Sequence, residues 1–342
     1  MTRHAGILLL AAGCLMHAAT VAAQNPHLVV YQGDKGPGAG KHIVWLAGDH
    51  EYRGEESLPA LARIMARHYG FKCSVFFTTN PATGFIEPGS SNISGLDVLR
   101  TADLLVVFLR FQDFPDEEMQ HIADYLDRGG PVIGYRTATH AFQIKRTDAR
   151  FLKYTWNNQG PDYPGGFGRQ ILGETWVSHY GRNHKQSSRL LLQPGQAGHA
   201  ILRGVKDVWV QSGGYTAEPI AGSTVLALGQ ILNGMTPDSP PAPDKKEVPV
   251  AWFRTYQGAS GPPGRVFTTT HGASEDLLND GFRRMAVNAT LWAVGLETSI
   301  RADGNISFVG PYHPSTFAFG GFVKETKPSD LAGWDAPIPA KK

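Results

Sequence analysis

Apolar positions follow two rhythms along the first half of the chain. Ile43 to Ala47 form an uninterrupted run closed by Gly48, the pattern of a strand buried on both faces. Beyond a polar loop from Asp49 to Glu56, Leu58, Leu61, Ile64, Met65 and Tyr69 recur at steps of three and four. That spacing predicts an amphipathic helix with Ser57 as its cap, Pro59 in its first turn and Gly70 as its stop. Val75 to Thr78 read as a second strand and Leu104 to Leu109 as a third. Asp113 is placed to cap the next helix, whose first turn carries Asp116, Glu117 and Glu118 at the positive end of the dipole. Its buried stripe is Met119, Ile122, Ala123 and Leu126, and Gly129 ends it. Pro131 to Gly134 make a fourth short strand.

Helices alternating with wholly apolar strands are the signature of a parallel sheet covered on both faces, so residues 41 to about 140 are expected to be doubly wound α/β. From 141 to 223 the periodicity fades into sequence rich in aromatics, Gly and His, read as long loop insertions with short strands near 189–193 and 207–211. Val225 to Leu228, Val250 to Phe253 and Val266 to Thr269 restore the strand pattern, and the Pro-rich stretch 237–243 is a surface loop. Ser274 is the expected cap of a last helix carrying Leu278, Phe282, Met285, Ala289 and Trp292 and ending at Gly295. The expected organisation is a linker over 24–40, which includes the glycine-rich Gly36 to Gly40, one α/β domain over 41–296, and a C-terminal coil extension over 297–342 that wraps it.

Composition narrows the function classes. With 42% hydrophobic and 18% charged residues the chain is neither a disordered tail nor a coiled coil. A net charge of +2 with no basic block lacks the footprint needed to grip nucleic acid. Residues 1–23 read as an export signal: Arg3 and His4, then Ile7 to Ala12 with Leu15, then Val21-Ala22-Ala23 before Gln24. The apolar stretch is broken by Gly13 and His17 and falls short of the ~20 residues of a membrane span, so no transmembrane anchor is expected. A lipoprotein site at Cys14 is the alternative. Cleavage removes Cys14 and leaves Cys73 without a disulfide partner, buried as a small hydrophobe, which suits a bacterial periplasm.

In an open parallel sheet the ligand crevice lies beyond the carboxyl ends of the strands. Four strand ends run into polar sequence: Asp49-His50-Glu51-Tyr52-Arg53, Arg110-Phe111-Gln112, Arg136-Thr137-Ala138-Thr139-His140 and Thr270-His271. A buried guanidinium needs a carboxylate partner or a hydroxyl-rich or anionic ligand. Asp49 and Glu51 are the candidate partners of Arg110 and Arg136, as structural ion pairs or as a site. His140 and His271 are the candidate proton carriers, and Tyr52, Phe111 and Tyr135 supply aromatic surface for a polyhydroxylated substrate. Arg53, Arg169 and Glu174 complete the substrate-binding candidates. Glu174, His179 and His184, with His199 nearby, have ligand types suited to a divalent metal, although no diagnostic spacing is present.

The segments Gly48 to Arg53, Gly134 to Phe142, Gly173 to His179 and Gly264 to His271 together resemble the trehalose-utilisation (ThuA-like) domain family, over about residues 41 to 296. The resemblance implies a flavodoxin-like fold related to class I glutamine amidotransferases and a link to sugar catabolism. Those amidotransferases carry a nucleophilic cysteine in Gly-x-Cys-x-Gly, and the similar stretch here is Gly134-Tyr135-Arg136-Thr137-Ala138. Arg136 cannot attack a carbonyl, so thioester chemistry is excluded. Thr137 is a weak nucleophile that would need His140 or His271 as its base, and His271 with Glu275 resembles the remnant of a base pair. Three functions stay open: an acid/base enzyme hydrolysing or eliminating a sugar or keto-sugar glycoside, a non-catalytic carbohydrate-binding protein, and a metal-dependent hydrolase.

Overall fold

A computed structural model describes residues 25–340, so the expected export signal and Cys14 lie outside the described residues. In chain order the elements are β1 (Leu28–Gln32), β2 (His42–Gly48), α1 (Gly54–Tyr69), β3 (Lys72–Phe77), β4 (Leu104–Leu109), α2 (Asp116–Asp127), β5 (Val132–Tyr135), β6 (His179–Tyr180), β7 (Ser188–Leu192), β8 (Trp209–Val210), β9 (Gly214–Tyr215), β10 (Thr224–Ile231), β11 (Val248–Tyr256), β12 (Gly264–Thr269) and α3 (Asp280–Ala293). Ten strands make one sheet in the order β1-β3-β2-β4-β5-β12-β11-β10-β7-β8, and β6 with β9 forms a separate ribbon. The centre, β3-β2-β4-β5-β12, is parallel. Counted by appearance those strands run second, first, third, fourth, fifth, which is the flavodoxin-like order with its reversal between β2 and β4.

The pleat explains why the strands are apolar throughout. Ile43, Trp45 and Ala47 face the layer that holds α1 and α3, while Val44 and Leu46 face the layer that holds α2. Each fully buried large side chain contributes about 1.5–3 kcal/mol, and removing Trp45 to Ala would cost about 3–5 kcal/mol. Cys73 on β3 is fully buried, as expected, and burial pushes its thiol far above the ordinary range.

Three helix starts differ from expectation, and at two of them, Asp113 and Ser274, the polar side chain is used elsewhere. Before α1, Asp49 holds a turn that lets the helix begin at Gly54, so Ser57 lies inside it. Asp113 accepts from the Lys145 amide and the Arg146 Nε, and Pro115 takes the cap position of α2. Ser274 opens a separate short turn, and Asn279 caps α3 by accepting from the Phe282 amide at 2.9 Å. The segment expected as a linker contains β1, an edge strand antiparallel to β3, with Val29 and Tyr31 buried and Val30 exposed. The C-terminal extension lies over α1: Arg63 donates to the carbonyls of Leu331 and Ala336, and Tyr31 to that of Leu331. Among the described residues no helix is long and apolar enough to cross a membrane.

Candidate functional site

At the β2/β4 reversal the loops leave the strands in strained conformations. Asp49 Oδ1 accepts the amides of Glu51, at 2.9 Å, and Tyr52. The turn this makes ends on Arg53, whose φ is +63°. Phe111, just past β4, has φ +51°, and Arg136, just past β5, has φ +45°. Each left-handed non-glycine residue costs about 1–2 kcal/mol, and such strain persists where the surrounding structure holds a residue in place for a purpose. Here three neighbouring strand ends carry it, and together they bring Glu51, Tyr52, Arg110 and Arg136 to one rim.

Arg110 forms an ion pair with Glu51, whose other oxygen accepts from Asn183 Nδ2 at 3.2 Å. Arg136 is fully buried between two phenol rings, its guanidinium carbon 3.6 Å from the Tyr52 ring centre and 4.9 Å from that of Tyr215. Its Nη1 donates to the carbonyls of Gly213 and Thr270, while Nε and Nη2 have no hydrogen-bond partner. The Tyr52 hydroxyl meets His179 Nε2 at 3.1 Å and accepts from Asn183 at 2.9 Å. His140 is buried with its Nδ1 3.2 Å from the Thr139 hydroxyl. Burial disfavours the charged imidazole at His140, His179, His50 and His271, and Arg136 or Arg110 adds to it at each, so all four titrate below the ordinary histidine value. The rim thus sets uncharged imidazoles beside fixed guanidiniums.

Aromatic rings surround this polar centre. Phe111, Trp156, Trp176, His140 and Tyr215 make a chain of ring contacts 4.9 to 5.8 Å apart. On the opposite side the C-terminal extension adds Phe317, packed on Tyr52 and stacked on His184, and Phe319, 4.7 Å above the Arg110 guanidinium and 63% exposed. The Gly320 amide donates to the His50 carbonyl and fixes that segment at the rim.

Residues 43–293 match the family model described as ThuA, trehalose utilisation. The chain belongs to the ThuA family. Membership ties the protein to carbohydrate utilisation in coarse terms. No curated protein matches the chain. Among solved structures, a ThuA-like protein from Parabacteroides merdae shares 12% identity over 82% of this chain and 96% of its own, with a TM-score of 0.45. The mmIFT52 N-terminal domain shares 12% over 75% and 98%, with a TM-score of 0.41. The exo-beta-1,4-mannosidase Op5Man5 from Opitutaceae bacterium strain TAV5 shares 9% over 75% and 36%, with a TM-score of 0.31. At these scores the likenesses carry no weight for function.

Within the ThuA region the rim gathers Asp49, Glu51, Tyr52, Arg110, Phe111, Arg136, His140 and His271, and the fully buried Thr137 lies on the turn after Arg136 with its hydroxyl unpartnered. Arg53 is fully buried, donates to the Ala318 carbonyl of the C-terminal extension and lies 3.4 Å from Glu55, with Nε and Nη1 lacking a hydrogen-bond partner. Arg169 and Glu174 pair with each other at 2.5 Å beside a different, open cavity of about 670 Å³. The metal candidates Glu174, His179 and His184 each have other partners. Glu174 is filled by Arg169 and the amides of Thr175 and Glu218, His179 bonds Tyr52, and His184 stacks on Phe317. Among the described residues no three His, Cys, Asp or Glu side chains group as metal ligands. Glu275 is not the partner of His271 either; it accepts from Thr316, and the neighbouring Asp276 reaches His271 through Ser212. Ser212, Tyr215, Asn183 and Phe319 were not singled out by sequence, since they lie on loops or, for Tyr215, on a two-residue strand too short to show a period.

Proposed function

We propose that this ThuA protein acts in an exported compartment on an oxidised sugar glycoside, a keto-sugar, by proton abstraction beside the ketone followed by elimination. The observation that carries this reading is the juxtaposition of uncharged imidazoles at His140 and His179 with the guanidiniums of Arg110 and Arg136 inside an aromatic rim. A neutral imidazole takes the proton from the carbon next to the carbonyl. The C–H electron pair becomes an enolate, whose negative oxygen a guanidinium stabilises. The enolate collapses to expel the glycosidic oxygen from the adjacent carbon, and that oxygen leaves with the proton held by the imidazolium. A glycosidase carboxylate pair is less well supported, because Glu51 is engaged by Arg110 and Asn183, and Asp49 Oδ1 holds two backbone amides. Aromatic faces and bidentate guanidiniums suit a ring with many hydroxyls.

The test is incubation of the purified protein with disaccharides and their 3-keto derivatives. Release of free sugar from the keto form, lost in His179→Ala, supports the reading. Calorimetric binding of the sugar with no product would replace it with the carbohydrate-binding alternative, which the internally paired Glu51 and Arg110 favour.

A further inference from the structure

We propose that Asp276 and Ser212 form a buried relay that fixes His271 as its Nδ1–H tautomer and makes Nε2 the proton-accepting atom of that imidazole. Asp276, Ser212 and His271 are all fully buried. The Asp276 carboxylate accepts four hydrogen bonds: at Oδ1 from the Ser212 amide, 3.1 Å, and at Oδ2 from the Ser212 hydroxyl, 2.6 Å, and the amides of Gly272 and Ala273, 3.0 Å each. Every one of these contacts comes from a donor, so the carboxylate acts towards Ser212 only as an acceptor. The Ser212 hydroxyl hydrogen is therefore spent on Asp276, and only oxygen lone pairs face His271 Nδ1 at 3.1 Å. A lone pair can bond that nitrogen only if the nitrogen carries the proton, so the tautomer follows from the donor inventory.

Histidines that merely fill a core have both ring nitrogens satisfied. His271 Nε2 is buried and has no partner. Its ring edge lies beneath β9, where a Cβ added to Gly214 would come 3.8 Å from His271 Cε1. Arg136 fastens the relay to the rim, because its Nη1 bonds the carbonyls of Gly213 and Thr270, the residues that flank Ser212 and His271. The same guanidinium opposes a second positive charge on the imidazole. Ser212 and Asp276 are thus positioning residues, and His271 adds a third neutral imidazole, with a bare Nε2, on the buried side of His140 and His179. The tautomer stands without the proposed reaction; the kinetic consequence rests on it.

A two-bond proton–nitrogen correlation spectrum of protein labelled with nitrogen-15 histidine, assigned with His271→Gln, reads the tautomer directly. The expected result is a protonated Nδ1 and a bare Nε2 in the wild type, a changed pattern in Ser212→Ala, and recovery in Ser212→Thr. A proton on Nε2 in the wild type, a charged ring at pH 7, or a Ser212→Ala spectrum identical to the wild type overturns the relay. If Ser212→Ala does not fold, the wild-type spectrum decides alone. With a keto-sugar substrate, Ser212→Ala is expected to lower kcat about 10²-fold at constant KM, with Ser212→Thr restoring it. Absence of turnover in the wild type defeats the elimination reading, while the spectrum still judges the relay.

Discussion

Two Arg–carboxylate pairs of this molecule have opposite characters. Arg169 and Glu174 flank an open cavity, yet the guanidinium is 36% exposed and the carboxylate is already filled by two backbone amides. Arg110 and Glu51 are both nearly buried, next to a second guanidinium with unpartnered nitrogens and to imidazoles held uncharged. Cavity volume alone would select the first pair. Desolvation selects the second, because only there does a charge have something left to do after its structural partners are counted. The contrast separates a salt bridge that closes a loop from one that prepares a surface for chemistry.

That contrast breaks down if the two pairs respond alike. On keto-sugar substrate, His140→Gln or His179→Ala is expected to lower the elimination rate about 10²- to 10⁴-fold, whereas Arg169→Ala leaves it within about twofold, as steady-state kinetics would show. In urea denaturation Glu51→Ala strands a buried guanidinium and costs about 3–5 kcal/mol. Arg169→Ala, whose side chain is one-third exposed, costs about 1 kcal/mol or less.

Acid titration sharpens the difference further. His140 and His271 have folded values depressed below 6.5, so above that pH both states are uncharged and stability is unaffected. Below pH 6.5 the unfolded chain binds protons that the folded imidazoles refuse, and stability falls by up to about 1.4 kcal/mol per pH unit for each. Melts between pH 7 and 5 should show that slope reduced in His271→Gln and unchanged in Arg169→Ala. Glu55 runs the other way. Burial raises it to about 8 while Arg53 pulls it down, so the folded state holds a proton that the unfolded state has lost. Its contribution is present below the unfolded value of 4.5 and fades as pH rises to about 8. Glu55→Gln is therefore expected to be the more stable protein at pH 8, the smallest of these effects once Arg53 is allowed for.

The parallel centre was legible because it obeys one rule. Leu104–Leu109 is buried at every position and reads as a strand without further information. The polar strand ends were legible for the same reason, since charged residues placed directly after such a run must lie where the crevice is. The rest depended on tertiary use of ambiguous side chains. Asp113 and Ser274 look like caps and are claimed by a distant loop and by the Ser315 carbonyl. Asp276 and Glu275 are indistinguishable by type, and only the fold shows which one turns inward. β1 was missed although Val29 and Tyr31 alternate with polar or exposed neighbours, because five residues beside a glycine-rich stretch read equally well as coil.

The C-terminal extension has a consequence for the order in which the molecule is assembled. Phe317, Ala318 and Phe319 follow every strand of the sheet in the chain, and Tyr52, Arg53 and Arg110 meet them only once the scaffold exists. A chain emerging from its amino end completes the crevice last. Until then the guanidiniums and imidazoles stay open to water, which screens their charges and mutes whatever reactivity the finished pocket confers.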